Sequence, residues 1–305
     1  MRFPIQKFAC WLARLGKEGR LFTVAGLASL TGLAQTEIRL TGSDLLGPEF
    51  GAAIEQFARE QEISVSAEFA GSRPGIEQLR QGEADVGLFA LIPGEEPPGE
   101  PLLSRVIAYQ AVVVVVPDAL PLTEITHGQL HGIFAVGGTD SFSSWGALGL
   151  TGEWRTRAIA PHALAPTAGL VVPLVRRLIF QGAEFRPVVQ LAADADQVAQ
   201  RTRSADNSIA LTVGWPAPDS GLRVLAVARS VTEPAYLPIP EHLELSYPLR
   251  LPLYLTIRPA AAPRLQAFLK FLLSAEGGAA FAQAHFQLLP EGPRNQLILE
   301  LEVLR

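Results

Sequence analysis

Apolar and polar positions along the chain change period several times, and the changes mark out successive elements. Glu37 to Leu40 reads as a short strand and Thr41-Gly42-Ser43 as a tight loop. From Pro48 onward Phe50, Ala53, Ile54, Phe57 and Ala58 recur at helical spacing, with the proline in a first turn where it has no N–H to lose. Ser64 to Phe69 alternates as a strand, Gly71-Ser72 follows, and Pro74 to Gln81 gives a short helix with Ile76 and Leu79 on one side. Asp85 to Phe89 is a third strand. This alternation predicts a parallel sheet that binds ligands off the carboxyl ends of its strands.

Ile92 to Pro101, with four prolines and two glycines, breaks the pattern as a loop. Val106 to Val116 contains five consecutive valines and predicts a buried strand that passes from one lobe to another. Further helical and strand segments fall at Gln129 to Phe134, Thr156 to Ala160, Gly169 to Phe180, Val188 to Leu191, Asp194 to Thr202, Ser208 to Val213 and Arg223 to Ala228. Leu251 to Ile257 predicts a return strand. Pro263 to Leu273 carries Leu265, Phe268, Leu269 and Leu272 on one helical face, and another helix is expected around Ala279 to His285. The expectation is a two-lobe α/β fold with two crossover strands as a hinge. Asn295 to Arg305 fits either a strand or a helix.

Charge mainly removes options. The 305 residues carry a net charge of −5 with only three lysines, Lys7, Lys17 and Lys270, so nucleic acid is not an expected partner. The first 34 residues differ from the rest: Met1 to Arg20 holds five basic residues against one acid, and Leu21 to Leu33 is uncharged and mostly apolar. Thirteen residues at ~1.5 Å each are too short to cross a ~30 Å hydrocarbon core as a helix, and Gly32 and Ala34 suit cleavage before Gln35. An export signal over residues 1–34 is expected, which implies a periplasmic or extracellular protein. Its removal leaves 271 residues with 20 basic against 29 acidic side chains, a net of −9, and takes away Cys10, the only cysteine. Disulfides, thiolate nucleophiles and cysteine-held metals are then excluded.

Four separated segments carry a family resemblance. They are LTGSDLLGP (Leu40 to Pro48), GSRPGIEQLRQGEADVG (Gly71 to Gly87), Leu122 to Gly149 with Thr123, Gln129-Leu130, Ile133-Phe134 and Trp145, and Tyr247 to Pro290 with YPL, PLYL, FLKFLLSAEGG and HFQLLP. Together, in this order, they resemble the PstS-like phosphate-binding proteins of ABC transporters. The resemblance implies a type II periplasmic-binding-protein fold. One lobe is expected at residues 35–110 plus 248–290, the other at 111–247, with 291–305 as a C-terminal extension. It also implies capture of a small, phosphate-like anion without a cofactor, through backbone N–H groups at helix N-termini aided by hydroxyls, and delivery to an inner-membrane ABC permease.

By this resemblance the cleft is lined by both Gly-Ser loops, the end of the third strand and a loop near residue 162. The candidate ligand-binding residues are Ser43, Asp44, Leu45, Ser72, Arg73, His162 and Thr167. The chain departs from the family at several of them. Leu45 stands where the family has Thr, Ala90 where it has an acidic residue, His162 where it has Arg, and Pro166-Thr167-Ala168 where it has Ser-Gly-Thr. Only Ser72 is plainly kept. Arg73 is the candidate replacement cation, and His162 can add a donor when protonated. His127 and His131, four apart, invite a metal reading, but no third ligand or HExxH pattern accompanies them, and no metal is expected. No Gly-x-Ser-x-Gly elbow supports an enzyme. A rival non-enzymatic reading is a degenerate binding domain serving as a ligand-independent interaction or sensing module, favoured if Leu45 and Pro166 plug the cleft.

Overall fold

In the computed structural model, which describes residues 37–138, 140–243 and 245–304, three parallel strands and two helices open the chain. The expected export signal lies outside the described residues. β1 (Ile38–Gly42) is followed by a single 3-10 turn at Asp44–Leu46, α1 (Gly47–Glu60), β2 (Val65–Glu68), α2 (Ser72–Gln81) and β3 (Val86–Ala90). β1 lies between β2 and β3, with Leu40 beside both Ala67 and Val86. All three carboxyl ends therefore meet at one edge, where the 3-10 turn and α2 begin.

β4 (Leu103–Pro117) is the axis of the molecule. After it come β5 (Glu124–Thr126), α3 (His127–Phe134), β6 (Ala160–Leu164), α4 (Val171–Leu178), β7 (Gln190–Ala192), α5 (Ala195–Arg203) and β8 (Ser208–Val213). The remaining elements are β9 (Leu222–Val224), β10 (Ala226–Ala228), α6 (Pro240–Leu243), β11 (Arg250–Ile257), α7 (Ala262–Leu272), α8 (Ala275–Gln283), β12 (Phe286–Leu288) and α9 (Glu291–Glu302). The main strand order is β2-β1-β3-β11-β4-β8-β6-β7, with β9 and β12 also on β4. The first part of β4 pairs with β11, and its valines pair with β8 and β9. One strand thus belongs to both halves of this two-lobe α/β fold.

Local chemistry explains the element ends. Thr126 and Gln129 form a reciprocal capping box at the start of α3, and Asp194 caps α5 through the Gln197 N–H. The apolar stripe of α1 meets α7 and α8: Phe57 stacks on Phe271 at 4.1 Å between ring centres, and Phe50 lies 4.6 Å from Phe281. Such ring pairs add about 0.5–1.5 kcal/mol beyond area burial. At the far end of β1, the nearly buried Asp85 accepts hydrogen bonds from Arg39 and Arg264, joining β1, β3 and α7.

Three expectations are corrected or resolved here. Thr156 to Ala160 is no element of its own: a 3-10 turn ends at Thr156 and β6 starts at Ala160. Arg223 to Ala228 splits at Leu225 into β9, paired with β4, and β10, paired with β5. The open C-terminal segment is helical in α9, because Leu297 and Leu301, one turn apart, are buried while Leu299 is exposed. Ion pairs Arg105–Glu300 and Lys270–Glu302 (2.6 Å) fasten it. Among the described residues no helix is long and apolar enough to cross a membrane.

Candidate functional site

The first half contributes two loops at the carboxyl edge of its strands. Ser43 is buried: its N–H donates to Leu88 O (2.8 Å), and its hydroxyl accepts from the Leu45 N–H (3.3 Å) as the cap of the 3-10 turn. Asp44 is exposed beside it. Ser72 opens α2 and donates its hydroxyl to Ala90 O at the end of β3 (2.8 Å). That bond ties the start of α2 to β3, but it also occupies the one side-chain donor of Ser72. Arg73 points outward, its side chain 88% exposed, and pairs with Glu95 at 3.1 Å.

The second half contributes the turn between β6 and α4. Ala165 N–H donates to Ala192 O, Ala168 N–H closes the turn on Ala165 O, and Pro166 and Thr167 are exposed on it. Gly169 follows with φ +113°, a region that side-chain-bearing residues rarely adopt. Leu45 reaches this turn from the other half: a Cβ added to Gly169 would lie 2.9 Å from Leu45 Cδ2. A second bridge lies nearby, where the Arg177 guanidinium of α4 rests on Gly94. An alkyl group thus lies where the two loops meet.

His162 does not lie in a loop. It sits inside β6, 4% exposed, with Nε2 3.3 Å from Ser208 Oγ and Nδ1 without a hydrogen-bond partner. Burial, with Arg201 adding to it, lowers its pKa below the ordinary imidazole value. A neutral imidazole two residues short of the strand end supplies no cation to the turn.

A larger space opens beside the crossover strands. Arg250, Pro252 and Tyr254, alternate residues of β11, face a cavity of about 470 Å³ that is also lined by Tyr109 of β4 and His127 of α3. A second cavity of about 510 Å³ shares His127, Leu178 and Arg229 with it and adds His131 and Asp140. Arg250 stacks over Tyr109 at 5.3 Å and donates to Tyr247 O (3.1 Å), while the buried Tyr247 hydroxyl donates to Val112 O (2.6 Å). Burial, reinforced by Arg229 and partly opposed by Glu233, pushes the His127 pKa down to about 4. No group of three His, Cys, Asp or Glu side chains suited to a metal occurs among the described residues.

The family model described as bacterial extracellular solute-binding protein matches residues 38–287. The chain belongs to that family. The phosphate-binding protein PstS of Pseudomonas aeruginosa is 24% identical over 279 residues, covering 85% of each chain. The ABC-type phosphate transport receptor of Vibrio cholerae superposes with a TM-score of 0.62 at 18% identity, over 83% of this chain and all of that one. A protein of Planctomyces limnophilus described as a possible phosphate-binding protein gives a TM-score of 0.65 at 18% identity, over 88% and 98% of the two chains. The PstS-like resemblance and the two-lobe α/β class are thereby established, and the named relatives are binding proteins rather than enzymes.

In this solute-binding protein the structure brings Leu45, though not Ser43 or Asp44, against the turn that carries Thr167, and joins Ser72 to the end of β3. Arg73 and His162 stand apart, one on the surface and one inside β6. Sequence reasoning passed over Arg229, Tyr109 and the outward face of β11. A usable signal exists for the last: in RLPLY, Leu251 and Leu253 point into the core, so Arg250, Pro252 and Tyr254 must share the opposite face.

Proposed function

We propose that this chain is the exported solute-binding component of a PstS-like ABC importer, capturing a small anion between two lobes and passing it to an inner-membrane permease. The lobes are residues 35–110 with 248–290, and 111–247, so that β4 and the start of β11 form the hinge. The observation that supports this reading is the meeting of the 43–45 loop with the 165–169 turn through Leu45 and Gly169. α1 and α4 begin two residues after Leu45 and Gly169, which brings a helix start from each half near this contact, as anion capture by backbone N–H groups needs.

Phosphate is a poor ligand on this reading. Leu45 and Ala90 offer neither donor nor acceptor side chains, His162 is turned away, Ser72 is already bonded, and Arg73 is paired with Glu95. Each missing charge-assisted partner costs about 1.5–3 kcal/mol, and two such losses weaken binding by about two orders of magnitude or more. Thermal shift against phosphate, phosphonate, sulfate, molybdate and simple carboxylates is the test. A ligand at 100 times its Kd stabilises by about 2.7 kcal/mol. At least one anion is expected to raise Tm, and submicromolar phosphate binding would refute the weakened seat. Secreted protein is expected to begin at Gln35; retention of residues 1–34 in a soluble cytoplasmic product would refute export.

A second reading, a ligand-independent interaction or sensing module, draws on the same contact. Leu45 on Gly169 and Arg177 on Gly94 bridge the halves with side chains alone. Absence of a Tm response to every anion would favour it.

A further inference from the structure

We propose that the solute of this protein is a small organic anion with an apolar body, held in the cavity between the crossover strands and α3 rather than at the helix starts. The proposal rests on the solute-binding reading but not on phosphate as the solute. Its first support is size. At about 470 Å³, and sharing His127, Leu178 and Arg229 with a second space of about 510 Å³, the cavity lies in the range of ligand pockets, whereas at Gly169 the Leu45 side chain stands 2.9 Å from where a Cβ would lie.

The second support is the chemistry of the lining. Where the two spaces join, Arg229 and His127 stand together. His127 Nε2 is a buried polar atom with no hydrogen-bond partner among the described residues. Arg229 has Glu233 as its ion-pair partner at 3.6 Å, longer than a direct hydrogen bond, so its guanidinium can turn toward a ligand. An anionic head fits against the Arg229 guanidinium, which lines both spaces.

The third support is a further part of the wall, where Pro252 and Tyr254 present an apolar and aromatic surface beside the largely buried Tyr109. Arg250, stacked on Tyr109, borders that surface. Burial raises the Tyr254 pKa, so its hydroxyl stays protonated and available as a donor. Inorganic oxyanions have no body to lay on this wall. Because the lining draws on β4, β11, α3 and α4, a ligand here would touch both halves of the molecule and favour their closed arrangement.

Calorimetry on the full chain with phenyl phosphate and inorganic phosphate decides the matter, repeated on Arg229→Ala and Tyr254→Ala. Both substituted side chains border solvent, and an unchanged Tm checks that each variant is folded. Phenyl phosphate is expected to bind about tenfold or more tightly than inorganic phosphate, and each variant to weaken it by about tenfold. Equal binding of the two probes, unaffected by either variant, would overturn this inference while leaving anion capture at the helix starts intact. No heat from either probe up to about 10 mM would overturn both.

Discussion

Replacing Leu45 by Thr exchanges an alkyl group pressed on Gly169 for a hydroxyl in the middle of the 3-10 turn. The variant is expected to bind phosphate about tenfold more tightly than the parent, the worth of one charge-assisted hydrogen bond, as measured by calorimetry. An unchanged affinity would mean that the seat is not at this turn. Asp85 gives a second test at single-residue scale. Burial pushes its pKa up, but the Arg39 hydrogen bonds and the charge of Arg264 outweigh this and hold it below the ordinary carboxylate value. A depressed folded-state pKa contributes stability that is complete above the unfolded value of ~3.9 and is lost as pH falls through the folded value. Tm should therefore fall below about pH 4, less so in Asp85→Ala, which should itself cost about 2–3 kcal/mol at neutral pH. Ser72 was legible in the sequence because Gly-Ser before a helix is a local signal. The fates of Arg73 and His162 were not, because they depend on Glu95 and Ser208, 22 and 46 positions away.

Helices were legible wherever one face alone is buried, since the period then appears directly in the sequence, as in α1, α2 and α7. β1 and β3, buried on both faces, were legible instead as short runs bounded by turn residues. α9 was ambiguous because its apolar residues fall on both sides, and only packing against α7 selects Leu297 and Leu301 as the inner pair. The segment before β6 was misplaced because Trp145 and Trp154 anchor short 3-10 turns there, which carry no sustained period. The seating of α2 on the sheet depends on Gly75, where a Cβ would lie 2.8 Å from Thr41 Oγ1 and 2.9 Å from Phe89 Cε1. Gly75→Ala is expected to lower stability by about 1–3 kcal/mol in urea unfolding, because the helix must move off the strands. A neutral outcome would show that Thr41 and Phe89 can yield without displacing α2.

At the scale of the whole molecule, the described residues form one compact unit despite the two-lobe plan, because β4 is hydrogen-bonded into both halves. Calorimetric unfolding is accordingly expected to show one transition with matching van't Hoff and calorimetric enthalpies. Two resolved transitions would mean that the halves melt independently and that β4 does not couple them. The position of β4 has a consequence for biogenesis as well. Its partners come late: Ser208–Val213 for the valines, Arg250 for Ala111 and Leu288 for Ala108. Contacts of such long sequence separation form slowly, since a large loop must close before any of them is rewarded. While synthesis proceeds, five bare valines, a segment rich in β-propensity and without charge, wait for strands not yet made. A nascent chain of this design stays unfolded and adhesive until nearly its full length has emerged, so a holdase that covers residues 112–116 would protect it best.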